Sequence, residues 1–81
     1  MTEFTLSVTG FKVKGFQKTD LTWSGATSAD VDIYRDGALI ITIQNESSYT
    51  DNIDNRGGGT YEYRACESGT STCSTIETVI F

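Results

Sequence analysis

The thiols of the chain, Cys66 and Cys73, lie in the stretch TYEYRACESGTSTCS. Paired thiols serve redox exchange, metal binding or a structural disulfide. Redox pairs favour a C-x-x-C spacing at the start of a helix, where the thiolate is stabilised. Zinc needs three or four cysteine, histidine or carboxylate ligands, and the chain contains no histidine. The C-x6-C spacing, without a helical pattern around it, therefore favours a disulfide across a loop.

The disulfide has a predicted place in the fold. Cys66 closes one predicted strand and Cys73 opens the next, so a hairpin would bring the two opposite each other. Because side chains alternate along a strand, Cys66 lies on the same face as Glu62 and Arg64, which predicts a disulfide on the outer face of the sheet. Closing a loop of this size stabilises a domain by about 2.5 kcal/mol. A disulfide also predicts an oxidising compartment, outside the cell or in a bacterial periplasm.

Few other side chains could act in catalysis or bind a metal. Without histidine, the usual base for a serine or cysteine nucleophile is missing. Asp51, Asp54 and Asn55 form an oxygen-rich cluster, but an apolar residue interrupts the spacing of an EF-hand calcium loop, which favours a solvated loop. Asp30 and Asp32 share one strand face and are interpreted as solvated rather than as a catalytic acid pair. The sequence predicts a non-catalytic chain with no metal and no cofactor.

The length and the net charge of the chain limit its domain organisation and its possible partners. We assign residues 1–81 to one domain, with residues 1–3 as a linker or an artificial start. Eleven acidic residues against six basic ones give a net charge of −5, so nucleic acid is not an expected partner. No apolar run is long enough to span a membrane. The N-terminus does not resemble a signal peptide, so an export signal would lie upstream. We expect a monomer whose natural C-terminus is Phe81.

Apolar residues recur at every second position in seven short runs separated by turn residues, a pattern typical of β-strands. The run from Phe4 to Val13 predicts a first strand that is bent or bulged at Gly10. Asp36-Gly37 predicts a two-residue hairpin turn of type I′, in which both positions need positive φ. Together these runs predict an all-β fold, a seven-stranded antiparallel β-sandwich of immunoglobulin-like topology. A small barrel is the alternative.

The fourth predicted strand, ALIITI, is apolar on both faces. If Ile40 and Thr42 face the core, then Leu39, Ile41 and Ile43 face outward near a sheet edge. An exposed apolar row of this kind suggests a contact surface for another domain. The alternatives are that a loop covers the row or that the strand has another register.

Two aromatic residues could stack on a ligand such as a sugar. Trp23 alternates with Leu21 on the apolar side of its strand, which favours a position in the core. Tyr34 lies on the side of its strand opposite to Ile33. Tyr34 is therefore the candidate for contact with a ligand or partner.

Several stretches carry a resemblance to a known family, most specifically VDIYRDG, YTDN, GGGTYEYRAC and GTSTCS. Over residues 5–81 the chain resembles a fibronectin type III-like module. Such modules occur at the C-terminus of secreted bacterial hydrolases, notably subtilisin-like serine proteases of gammaproteobacteria. The resemblance implies that Trp23 is the core tryptophan of the second strand. It implies that Tyr61 is the tyrosine-corner residue, whose hydroxyl bonds to backbone, and that Cys66 and Cys73 form the family's disulfide between its last two strands.

The resemblance also implies a function. It predicts a non-catalytic accessory module, acting as spacer, stabiliser or docking domain of a secreted bacterial serine protease. The module would be extracellular, exported through the periplasm, and would contact its own catalytic domain or a protein or polysaccharide surface. The alternative is a carbohydrate-binding module of a secreted glycosidase.

Overall fold

A computed structural model describes residues 4–81, which form an all-β domain without a helix in that range. The expected linker at residues 1–3 lies outside the described residues. The strands are β1 (Thr5–Val13), β2 (Phe16–Ser24), β3 (Asp30–Arg35), β4 (Ala38–Gln44), β5 (Ser48–Asn52), β6 (Thr60–Glu67) and β7 (Glu77–Ile80).

The strands form two antiparallel sheets, of order β1-β2-β5 and β4-β3-β6-β7. Three hairpins, β1–β2, β3–β4 and β6–β7, supply most of the pairing, and β5 crosses over to pair with β2. Side chains of both sheets meet in one core, whose buried apolar members are Leu6, Leu21, Trp23, Val31, Ile33, Tyr63, Ala65 and Val79. The predicted seven-stranded antiparallel sandwich of immunoglobulin-like topology is therefore confirmed.

Gly10 does not bulge β1, contrary to expectation. The pairing of β1 with β2 continues through Gly10 without a shift of register. A Cβ atom at Gly10 would lie 2.6 Å from the Val79 side chain and 3.0 Å from the ring of Phe81. The glycine thus allows the end of the chain to pack closely over β1.

Two hairpin turns use a residue pair with positive φ. Asp36 and Gly37 have φ values of 52° and 83°, which confirms the predicted turn between β3 and β4. Lys14 and Gly15 repeat the pattern between β1 and β2, with φ values of 53° and 85°. This turn covers Lys14 and Gly15, so β2 begins at Phe16 and includes Gln17.

The last strand is shorter than predicted. It begins at Glu77, and Cys73 makes only an isolated bridge with Cys66. In the segment between Cys73 and Glu77, the Ser74 hydroxyl accepts a 3.0 Å hydrogen bond from the backbone amide of Ala65. This side chain replaces a backbone acceptor, so the regular ladder is interrupted there.

Candidate functional site

The outer face of the four-stranded sheet carries a row of side chains across neighbouring strands, which we call the outer row. Tyr34 of β3 pairs with Leu39 of β4 on one side and with Arg64 of β6 on the other. Ile76, just before β7, lines the same recess as Tyr34 and Arg64. Leu39 and Ile76 are 53% and 55% exposed. The outer row thus places an aromatic ring and a cation between two exposed aliphatic side chains.

A shallow recess lies along the outer row. It encloses about 350 Å³ and is lined by Tyr34, Asp36, Gly37, Glu62, Tyr63, Arg64 and Ile76. The Arg64 guanidinium lies 5.3 Å from the centre of the Tyr34 ring, within the range of a cation–π contact. Among the described residues, neither Arg64 nor Glu62 belongs to an ion pair. The recess therefore offers an aromatic ring and charges of both signs to a ligand.

The β4 side chains face differently from the expectation. Ile41 and Ile43 pair with the fully buried Ile33 and Val31, so they point inward and pack against the core. The register shifts between Ile33 and Tyr34, which inserts Ile40 as an extra residue. A bulge of this kind reverses the facing that simple alternation predicts. The predicted outward row is therefore wrong for Ile41 and Ile43.

Two further β4 residues complete this correction. Leu39 faces outward as predicted, beside Tyr34. Thr42, predicted to face the core, is exposed and donates a 2.6 Å hydrogen bond to Asp32. The apolar surface near the sheet edge is thus smaller than the sequence suggests and consists of Leu39 and the Tyr34 ring.

The predicted disulfide is confirmed, since Cys66 and Cys73 are bonded with an Sγ–Sγ distance of 2.06 Å. Cys66 pairs in register with Asp32 of the outer face, although it is only 5% exposed. Beyond it, the Glu67 carboxylate accepts backbone hydrogen bonds from Thr27 and Ser28. These bonds lower the pKa of Glu67. The disulfide end of β6 therefore also holds the loop between β2 and β3.

Tyr61 differs from the tyrosine corner that the resemblance implies. Its hydroxyl donates a 2.6 Å hydrogen bond to the Gln17 side chain, and not to backbone. The Gln17 amide in turn donates to the Gly57 carbonyl at 2.8 Å. Gln17 is fully buried and replaces the direct contact. The hydroxyl of Tyr61 thus reaches the glycine-rich loop through Gln17.

Trp23 is buried on β2, as predicted, and its indole N–H donates to the Asn45 side chain at 2.9 Å. Asn45 also donates to the backbone carbonyls of Ala26 and Ser28. The roles of Asn45 and Gln17 are not predicted from the sequence. For Gln17 a signal existed, because it shares the period-two side of β2 with Leu21 and Trp23.

The oxygen-rich cluster of the β5 region is not brought together as a metal site. Asp51 is 5% exposed and points between the sheets, where it pairs with Arg35 at 2.6 Å. Asp54 instead pairs with Lys18 at 3.0 Å. Within the described part of the chain, no three metal-ligating side chains converge. The prediction of a solvated loop is therefore wrong for Asp51.

Tyr63 completes a polar network between the two sheets. It is fully buried, and its hydroxyl donates a 2.7 Å hydrogen bond to Asp51 and lies 3.2 Å from the Thr19 hydroxyl. Burial raises the pKa of the Tyr63 hydroxyl, Thr19 opposes this shift, and the Asp51 carboxylate adds to it. This network is structural, since its atoms are enclosed and satisfied by one another.

The outer face of the three-stranded sheet is chemically different. Its two recesses, of about 150 and 440 Å³, are lined largely by hydroxyl side chains. Thr5 and Ser24 bond to each other at 2.8 Å, and Thr50 donates to Asp20 at 2.7 Å. The concentration of aromatic, aliphatic and charged groups on the opposite face makes the outer row the candidate functional site.

Comparisons with known proteins do not identify the chain. No family model, no curated protein and no solved structure matches it. Among residues 4–81 there is no helix that is long and apolar enough to cross a bilayer. The outer row and the side chains around it are therefore the basis for proposing a function.

Proposed function

We propose that this chain is a non-catalytic accessory module of a secreted bacterial protease, acting as a spacer, stabiliser or docking domain. The observation that carries the proposal is the outer row. A half-buried tyrosine–arginine pair, flanked by the exposed side chains of Leu39 and Ile76, has the composition of a protein contact surface, because such surfaces are enriched in tyrosine and arginine. Its natural partners are the catalytic domain of the same protein and a protein or polysaccharide surface.

The compartment follows from the disulfide. Structural disulfides persist in oxidising environments and are rare in the cytosol. The Cys66–Cys73 bond supports export from the cell, and the resemblance to modules of secreted hydrolases supports a bacterial protease as the parent. The disulfide and the side-chain hydrogen bonds that hold loops to strands, such as those of Glu67 and Gln17, also suit a stable spacer domain.

The test is a binding assay with the purified chain against protein fibres, polysaccharides and the catalytic domain encoded in the same reading frame. We expect Arg64→Ala to weaken binding at least fivefold. Arg56→Ala is the matched control, since Arg56 also stacks on an aromatic ring, 4.5 Å from the centre of Phe16. The docking role fails if no surface binds the chain and if deleting the domain leaves secretion and proteolysis unchanged.

A carbohydrate-binding module is the second candidate function. It is favoured by the Tyr34 ring, which lies in a recess beside the polar side chains of Asp36, Glu62 and Arg64. A sugar could stack on the ring and hydrogen-bond to its neighbours. Pull-down on chitin and cellulose separates the candidates, because Tyr34→Ala should abolish retention on a polysaccharide if the ring is the sugar platform.

A further inference from the structure

Within residues 4–81, the four free edges of the two sheets are protected unequally. Natural edge strands avoid unwanted pairing by being short or by carrying charged residues or proline. The edge strand β7 has four residues and contains Glu77, and β5 has five residues and contains Asp51. The edge strand β1 is long but contains Lys12. The edge strand β4 has seven residues, ALIITIQ, without a charge or a proline.

The side chains of β4 would support an added strand on both faces. Ile41 and Ile43 point inward and are only partly buried, so they leave an apolar rim at the open side of the core. Leu39 and Thr42 are exposed on the outer face. An incoming strand would find backbone hydrogen-bonding groups along the edge and could extend the core with alternate apolar side chains.

The charge beside this edge selects the outward side chains of such a strand. The outer face next to β4 carries the carboxylates of Asp30 and Asp32, and Asp36 and Glu62 lie farther along the same sheet. Arg64 is the cation among them, and the whole chain has a net charge of −5. Lysine or arginine on the outward side of an incoming strand would therefore be attracted.

We propose that the free edge of β4 binds an extended polypeptide segment of alternating apolar and basic residues, which adds to the four-stranded sheet as a fifth strand. The apolar side chains meet the rim at Ile41 and Ile43, and the basic side chains lie over the acidic outer face. This inference rests on the proposed docking function and names the chemistry of its partner.

The test uses a synthetic nonapeptide of alternating valine and lysine, with a matched peptide in which glutamate replaces each lysine. We expect the lysine peptide to bind the intact chain and to slow amide exchange at residues 38–44 at least tenfold. The glutamate peptide should bind at least tenfold more weakly. Protection confined to another strand, or equal binding of both peptides, would overturn the proposal.

Two threonine variants provide a matched comparison. Thr42 of β4 and Thr50 of β5 are exposed on edge strands, and each donates to an aspartate of the neighbouring strand. Thr42→Lys and Thr50→Lys change the net charge equally. We expect the affinity for the lysine peptide to fall at least tenfold in Thr42→Lys and less than twofold in Thr50→Lys. Equal losses would show attraction by net charge alone and would refute the edge site.

Self-association is a separate outcome. If β4 becomes protected as the protein concentration rises, without peptide, then a second copy occupies the edge and the proposal is wrong. The wild-type exchange measurement is decisive even if a variant does not fold. These experiments use only this chain, so the edge site can be refuted even if deleting the domain from the parent protein supports the docking function. Conversely, the docking function can be refuted even if the peptide binds at β4.

Discussion

The molecule contains two tyrosine–arginine pairs in adjacent register positions of β3 and β6, and they face opposite ways. Arg35 pairs with Tyr63, and Tyr34 pairs with Arg64. The first pair points between the sheets, where Asp51 bonds to both side chains. The second pair lies outside, where the guanidinium stacks on the ring and belongs to no ion pair among the described residues.

The face of the sheet on which a pair lies, and not its residue types, therefore separates the structural pair from the candidate binding pair. Between the sheets, each polar group needs a partner, because an unsatisfied buried group is costly. On the outer face, water satisfies the same groups, so they remain available to a ligand. The comparison can be tested by removing equivalent atoms from the two pairs.

The largest effect is expected from Asp51→Ala, which leaves Arg35 and the Tyr63 hydroxyl without their shared partner. Removing one member of a buried ion pair is strongly destabilising, and we expect a loss of about 3 kcal/mol in the free energy of unfolding. Denaturant titration measures it. Asp20→Ala is the control, since Asp20 is exposed and accepts one threonine hydrogen bond. A loss no larger than that of the control would show that the network is not needed for stability.

The two arginines give the next largest contrast. Arg35→Ala should lower the free energy of unfolding by about 2 kcal/mol, because it removes the ion-pair partner of the buried Asp51. Arg64→Ala should change stability by less than about 0.5 kcal/mol, because Arg64 is a half-buried surface side chain without an ion pair among the described residues. Urea denaturation of both variants checks this. Similar losses would contradict the division between an inner structural pair and an outer binding pair.

A smaller effect separates the two tyrosine hydroxyls. Tyr63→Phe removes a buried hydrogen bond to Asp51 and should destabilise the domain by about 1.5 kcal/mol. Tyr34→Phe should be neutral within about 0.5 kcal/mol, since the ring and its contact with Arg64 remain. Thermal unfolding of the two variants in parallel provides the measurement. An equally destabilised Tyr34→Phe would mean that the outer hydroxyl also has a structural partner.

The smallest effect is expected in mild alkali. The pKa of Tyr63 in the folded domain is raised above the ordinary value of about 10. The resulting stabilisation is complete below pH 10 and is lost as the pH rises through the folded pKa, because only the unfolded chain ionises readily. At pH 11 we expect a loss of about 1 kcal/mol. Tyr63→Phe should show a smaller loss than Tyr34→Phe, as followed by fluorescence-detected unfolding. Burial also raises the pKa of Tyr49, which is present in both variants.

Much of the architecture is predictable because strand signals are local. The period of two predicts the strands and the burial of Trp23, and Asp36-Gly37 predicts its turn. The disulfide follows from the two thiols flanking a predicted loop. Predictions fail at β4, where the bulge at Ile40 turns Ile41 and Ile43 inward. A bulge adds one residue to a strand, and nothing in the apolar sequence ALIITI indicates its position.

The candidate site was only partly predictable for a related reason. Tyr34 and Leu39 are recognisable as outward residues, but the contribution of Arg64 and Ile76 depends on which strands become neighbours. The sequence predicts a solvated loop for Asp51 and does not predict the burial of Gln17, since polar side chains are mostly exposed. Their burial depends on partners far away in sequence, which local patterns do not specify.

The number of strands, the faces of most of them and the pairing of Cys66 with Cys73 are predictable from the amino-acid sequence. Strand faces follow local alternation, and the chain has two cysteines and no histidine that could join them at a metal. The roles of the two arginines, in contrast, depend on how the two sheets pack. Arg35 becomes structural because β5 crosses to the other sheet and brings Asp51 within 2.6 Å. Arg64 faces solvent, where no carboxylate of the described residues meets it. The packing of one sheet on the other thus distinguishes the two side chains.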